Sequence, residues 1–191
     1  MQSAKNLSDK IILGIDPGTN VMGYGLISVA GTNISLLHMG VLQLIRTDDH
    51  PLKLKKIFEH TLELIDKYNP DDISIEAPFY GKNVQSMLKL GRAQGVAMAA
   101  GLHRLIPIFE YSPKKIKQSI TGNGNASKEQ VAAMLMTLLH FKESPEFLDA
   151  TDGLAAAVCH NFQKGKSNFS KTGGNSWKAF INANPGRLRA G

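Results

Sequence analysis

Cysteine is almost missing from this chain of 191 residues: Cys159 stands alone, and the six histidines form no Cys/His cluster with zinc-ligand spacing. An internal disulfide is therefore excluded, and the composition suits a reducing compartment. Long apolar runs are missing too. The longest, such as Gly95 to Leu102, fall well short of the ~18 residues that span a bilayer. Met1 to Lys10 is polar where a signal peptide needs an apolar core. Membrane and secreted classes recede, no membrane partner is expected, and a cytoplasmic location is the default. Acid is missing from one region: Asn161 to Gly191 carries six basic residues and no Asp or Glu.

That region accounts for the whole net charge of +6, leaving the rest of the chain balanced. Within the balanced part the charges segregate. Phe79 to Lys128 holds eight Lys or Arg against one acid, Glu110. Such a stripe points to a polyanionic partner. With 42% hydrophobic residues, the length fits one globular domain of about 150 residues and a modest appendage. We expect a polar leader over 1–10, a folded domain over 11–163 and a basic flexible tail over 164–191.

Ile11 to Asp16 reads as a buried strand stopped by Pro17-Gly18. Val21 to Ala30 and Asn33 to Ile45 are two further strands joined at Gly31-Thr32, so the chain opens with an antiparallel meander. The period then changes: Leu54, Ile57, Phe58, Thr61, Leu62, Ile65 and Tyr68 share a helical face between Pro51 and Asn69-Pro70. Asp72 to Pro78 is a short strand, Val84 to Arg104 a long helix and Pro107 to Tyr111 a fifth strand. Ser112-Pro113 starts another helix, and Ser127 with Gln130 forms a capping box for the next, carried by Val131, Met134, Leu135, Leu138 and Leu139. A last helix begins near Asp149, with Leu154, Val158, Cys159 and Phe162 on its packing face. Cys159 and His160 read as structural, the latter as a helix-end histidine. Gly91, Gly95 and Ala99 leave one helix face nearly bare, and the preferred reading presses the Gly91 side onto the chain's own sheet. The order implies an α/β layer fold with a mixed sheet of about five strands flanked by helices.

Four carboxylates stand out by position. Asp16 ends the first strand, Glu76 ends the fourth, and Asp149 and Asp152 share one face of the last helix's first turn. If the first and fourth strands are neighbours, Asp16 and Glu76 lie side by side at one sheet edge, where ligand sites in α/β sheets concentrate. Oxygen-only ligands of high charge density suit Mg²⁺ or Mn²⁺, and two such ions can serve both the attacking and the leaving oxygen of a phosphodiester. Singly, each residue has an ordinary use as a turn, a strand end or a helix N-terminal charge. Together with the basic stripe they form the two halves of a metal-dependent nuclease.

GIDPGTNVMGYGLI, IEAPFYGKNVQSMLKLGRAQG, IKQSITGNGNASKEQV and LDATDGLAAAVCH, in that order from about Ile11 to Phe162, resemble the signature segments of the RuvC family. These are Holliday junction resolvases of the ribonuclease H-like superfamily. The resemblance implies a ribonuclease H-like fold and a homodimeric, Mg²⁺-dependent endonuclease that cuts four-way DNA junctions by paired symmetric nicks. The ends left would be 5′-phosphate and 3′-hydroxyl, and the setting DNA recombination and repair. RuvA and RuvB, the branch-migration proteins, are the implied partners. Carried over by position, the catalytic and metal-binding carboxylates are Asp16, Glu76, Asp149 and Asp152. Asp16 is expected to bridge two ions, Glu76 and Asp149 to favour one each, and Asp152 to serve as ligand or water-orienting base. Lys117 and Lys128 match lysines near the scissile phosphate; Lys82, Lys89, Arg92, Lys114 and Lys115 are candidates for backbone contacts. Phe79 matches an aromatic that stacks on an unpaired base, with Tyr80 able to share that role; on the residues alone Phe79 reads as a core plug. The resemblance also allows the bare helix face to be the two-fold interface.

Three rival readings remain. Asp-Pro-Gly-Thr followed by Gly23-Tyr24-Gly25 is similar to the phosphate hairpin of actin-like ATPases, but those need two domains around a cleft. A ribonuclease H-like RNA-processing nuclease is closer in size. A non-catalytic junction-binding module would do better without four carboxylates.

Overall fold

The computed structural model describes residues 9–45, 49–78, 83–141 and 148–170, with side chains to Lys164. The expected leader, apart from Asp9 and Lys10, lies outside these residues, as do Phe79, Tyr80 and Lys82 and the chain beyond Ser170. Three strands open the fold: β1 (Lys10–Asp16), β2 (Val21–Ala30) and β3 (Asn33–Gln43), an antiparallel meander. Helix α1 (His50–Tyr68) starts at Asp49, whose carboxylate accepts the Leu52 N–H at 2.8 Å, and ends at Asn69 in the left-handed region. Strand β4 (Asp72–Glu76) returns parallel to β1, and after α2 (Val84–His103) strand β5 (Ile108–Tyr111) runs parallel to β4. Ser112 caps α3 (Pro113–Thr121), and Ser127 and Gln130 form the expected capping box on α4 (Lys128–Leu139). Helix α5 is Leu148–Ser170. The sheet order is β3-β2-β1-β4-β5.

Strand alternation sorts the side chains between two layers. Ile11, Leu13 and Ile15 of β1 and Ile73 and Ile75 of β4 face α1 and α2, in one core with Ile57, Leu64, Ala93 and Ala97. Ile12 faces the other way, into a core with α5 and with Ile116, Val131 and Leu135 of α3 and α4. Each such fully buried aliphatic side chain contributes roughly 1.5–3 kcal/mol. Residues 153–160 of α5 are buried on every side, because the sheet covers one face and α3 and α4 another. The same alternation sends Asp16 of β1 and Glu76 of β4 to the α5 side.

The structure changes several expectations. The bare face of α2 does not meet the sheet: a Cβ added at Gly91 or Gly95 would touch nothing within 4 Å. The packed face is Ala93, Ala97, Ala100 and Gly101, which lies mainly against α1, with Gly101 against the Ile73 and Ile108 side chains of the sheet. Helix α5 continues to Ser170, past the boundary expected at 163, so His160 lies mid-helix and is fully buried. Lys164, read as the start of the tail, reaches Asp72 at 2.6 Å. Met134 of α4 is turned outward and 47% exposed, while Ala132 takes its place inside.

Candidate active site

Backbone contact, made possible by glycine, brings α5 down onto β1 and β2. A Cβ on Gly23 would stand 1.8 Å from the Asp149 carbonyl oxygen, one on Gly14 2.1 Å from the Gly153 oxygen, and one on Gly153 2.5 Å from the Tyr24 Cα. Gly23 pairs with Asp16 across the β1–β2 ladder, and Gly14 with Gly25. The glycines thus lower the first turn of α5, carrying Asp149 and Asp152, onto the end of β1 that carries Asp16. On the other side of Asp16, the parallel pairing of Ile15 with Ile75 sets Glu76 alongside it. Asp16 and Glu76 line a small cleft with Pro17, Ala77, Pro78 and Leu90 of α2.

The electrostatics follow from crowding and burial. Burial raises the Asp16 carboxyl well above its usual range, and the charges of Glu76, Asp152 and Asp149 push it further. Burial and then Asp152 raise Glu76 to about 7, against the opposing pull of Lys128 and Lys117. Asp152 is raised mainly by burial, partly offset by Lys128. The four carboxylates expected from the strand ends and the helix turn therefore act on one another, with Lys117 of α3 close enough to influence Glu76 and Asp152.

Lys128 enters this group directly. Its Nζ lies 3.0 Å from Asp149 Oδ1 and 2.5 Å from Asp152 Oδ2. Among the described residues no three His, Cys, Asp or Glu side chains close around an ion position; an ammonium bridges two of the carboxylates instead. The donors are all oxygen, partly desolvated and mutually repelling, which is the donor chemistry of a hard divalent cation. Lys114, on α3, packs its stem against Gly124, and Lys89 and Arg92 are exposed on α2. Phe79, Tyr80 and Lys82 fall outside the described residues.

Residues 12–160 match the family described as Crossover junction endodeoxyribonuclease RuvC. The chain belongs to the RuvC family. It is 61% identical to the crossover junction endodeoxyribonuclease RuvC of Cytophaga hutchinsonii, covering 95% of this chain and 89% of that one. With the RuvC of Christiangramia forsetii it shares 63% identity over 95% of this chain and 94% of that one. Thermus thermophilus RuvC, solved in complex with a Holliday junction substrate, superposes with a TM-score of 0.78 at 30% identity, covering 83% of this chain and 96% of that one. The mixed five-stranded sheet and its helices are thus the ribonuclease H-like fold of RuvC, and RuvC membership brings a divalent-metal requirement.

The contact of Lys128 with the RuvC-type carboxylates is not visible in the sequence, where its place in the basic stripe points to DNA alone. Nor do the glycines stand out there as the surface that seats α5. A signal was present, since Gly14, Gly23 and Gly25 share one face of adjacent strands, but it becomes visible only once the β1–β2 register is known.

Proposed function

We propose that this chain is a metal-dependent endonuclease that resolves four-way (Holliday) DNA junctions by paired symmetric nicks, in recombination and repair. The observation that carries the proposal is the meeting of Asp16, Glu76, Asp149 and Asp152 at one end of the sheet beside Lys117 and Lys128. The four carboxylates would hold Mg²⁺, most simply two ions, with Mn²⁺ able to substitute. Bound divalent ions would supply Lewis acidity toward the phosphodiester and ease deprotonation of water.

The protein's own groups do the rest. The Asp152 carboxylate orients the attacking water by accepting its hydrogen bond. As the water oxygen bonds to phosphorus and gives its proton to the Asp152 carboxylate, the bond to the 3′ oxygen breaks and that oxygen takes a proton from solvent, leaving 5′-phosphate and 3′-hydroxyl ends that a ligase can join. Lys117 and Lys128 hold the charge of the scissile phosphate. Lys82, Lys89, Arg92, Lys114 and Lys115 are assigned to the DNA backbone, and Phe79 to an unpaired base.

Paired nicks call for two copies of the site. Val84, Leu88, Gly91, Gly95, Ala99 and Leu102 follow helical spacing along the outer face of α2, with Val84 64%, Leu88 51% and Leu102 59% exposed, and this stripe supports a homodimer built on α2. RuvA and RuvB are the proposed partners, and the cytoplasm the proposed location. No helix among the described residues is long and apolar enough to cross a membrane. The test is cleavage of an end-labelled immobile junction beside its linear duplex, with Mg²⁺ or chelator, followed by ligase. Religatable nicks confined to the junction with metal support the proposal; preferential cutting of RNA, or binding without cutting, overturns it.

A further inference from the structure

Lys128 occupies an electrostatically odd position. It is the first residue of α4, where the helix's N–H groups already present partial positive charge and a cation is unfavourable. Its charge is answered instead from another helix, by Asp149 and Asp152 at 3.0 and 2.5 Å. These are two of the carboxylates assigned above to divalent ions, so the ammonium and an ion compete for the same oxygens. Lys128 remains 47% exposed along its side chain, and its four-carbon stem has room to swing toward solvent and an approaching phosphate.

We propose that Lys128 is a built-in counter-cation for the metal-free site: it bridges Asp149 and Asp152 until a divalent ion displaces it, and displacement frees its ammonium for the DNA phosphate. The inference rests on the nuclease reading of the site and adds an order of events to it. The lysine neutralises a crowded carboxylate pair while the fold has no metal. Metal loading then performs two tasks at once, filling the carboxylates and presenting a phosphate-binding cation. An empty site, its lysine tied down, is thereby less able to grip the scissile phosphate. Lys117 supplies the internal comparison, since it influences Glu76 and Asp152 through space and has no ion pair to either among those of the described residues.

The experiment uses the full-length chain. Amine acetylation followed by mass spectrometry is run in chelator and in saturating Mg²⁺, with Lys89 as the exposed reference. The proposal expects Lys128 to be protected in chelator and to label several-fold faster with Mg²⁺, while Lys89 does not change. In parallel, Mn²⁺ affinity is read by electron paramagnetic resonance for wild type, Lys128→Met and Lys117→Met. Removing two partly exposed ion pairs that the metal must break should tighten Mn²⁺ binding on the order of five- to tenfold for Lys128→Met, and by clearly less for Lys117→Met. Equal tightening by both variants would mean a general field effect and would overturn displacement. Unchanged Lys128 labelling on metal addition overturns it without any variant, so a misfolded substitution does not rescue the idea. If wild type binds no Mn²⁺ at all, and Asp16→Asn is indistinguishable from it, the metal-nuclease reading itself has failed.

Discussion

Glu76→Gln should stabilise the metal-free protein, and by an amount that depends on pH. The carboxyl titrates at about 7 in the fold instead of 4.5, chiefly because burial disfavours its charge and Asp152 repels it. Between those two values the unfolded chain has released the proton while the folded chain keeps it. Stability therefore falls as pH rises from 4.5 and levels off above 7. At about 1.36 kcal/mol for each pH unit the full loss is roughly 3 kcal/mol. An uncharged glutamine of the same size carries no such penalty. In chelator at pH 8 the variant should exceed wild type by ~2–3 kcal/mol, or roughly 4–12 °C in Tm for a chain of this size, with the gap closing toward pH 4.5. Saturating Mg²⁺ should reverse the order, because the ion stabilises only the intact carboxylate set. The assay is a thermal melt by circular dichroism over pH 4.5–8, with and without metal. A variant that melts at or below wild type in chelator at pH 8 would refute the crowding argument.

Asp16→Asn should behave alike in chelator, raising Tm at pH 7.5 while removing all cleavage, since Asp16 is raised by burial and by all three other carboxylates; a lower Tm would count against a clustered site. Gly23→Ala should lower stability by about 3 kcal/mol in denaturant titration, because the Asp149 carbonyl oxygen stands 1.8 Å from the new Cβ and α5 has to lift; a neutral substitution would mean that α5 does not rest on β2. Gly95→Leu should leave the melt of the protomer unchanged and abolish dimers in analytical ultracentrifugation, since its Cβ meets nothing; persistence of the dimer would remove α2 from the interface. Asp72→Ala should cost about 3 kcal/mol, because this buried carboxylate holds Lys10, His160 at 2.9 Å and Lys164 at 2.6 Å; a chemical-denaturation difference below 1 kcal/mol would show those groups to be independent of it.

Where the chain's local chemistry decides the outcome, the sequence was readable. Asn69 ends α1, Ser112-Pro113 opens α3 and Ser127 with Gln130 caps α4, as expected, because each signal acts within a few residues. Asp16 and Glu76 were visible as strand ends, and their meeting required only that β1 and β4 pair. What the sequence concealed depends on partners distant along the chain. The inward face of α2 is chosen by what α1 and the sheet accept, so Gly91 and Gly95 could be read either way. His160 looked like a helix-end residue because the polar Lys- and Asn-rich continuation masked further helix. Yet it lies in the middle of α5, accepting or donating with Tyr111 at 2.8 Å and Asp72 at 2.9 Å. Lys128 belonged to a basic stripe in sequence but to a carboxylate group in space.

Junction resolution is read directly from a supercoiled plasmid that extrudes a cruciform, incubated with the protein in Mg²⁺ and resolved on an agarose gel. Paired nicks across the four-way junction convert it to a linear product within one binding event. Wild type with Mg²⁺ should yield linear DNA, and neither chelator nor Asp16→Asn should give any. Accumulation of nicked circles without linear product, or cutting that survives Asp16→Asn, would contradict junction resolution at this site.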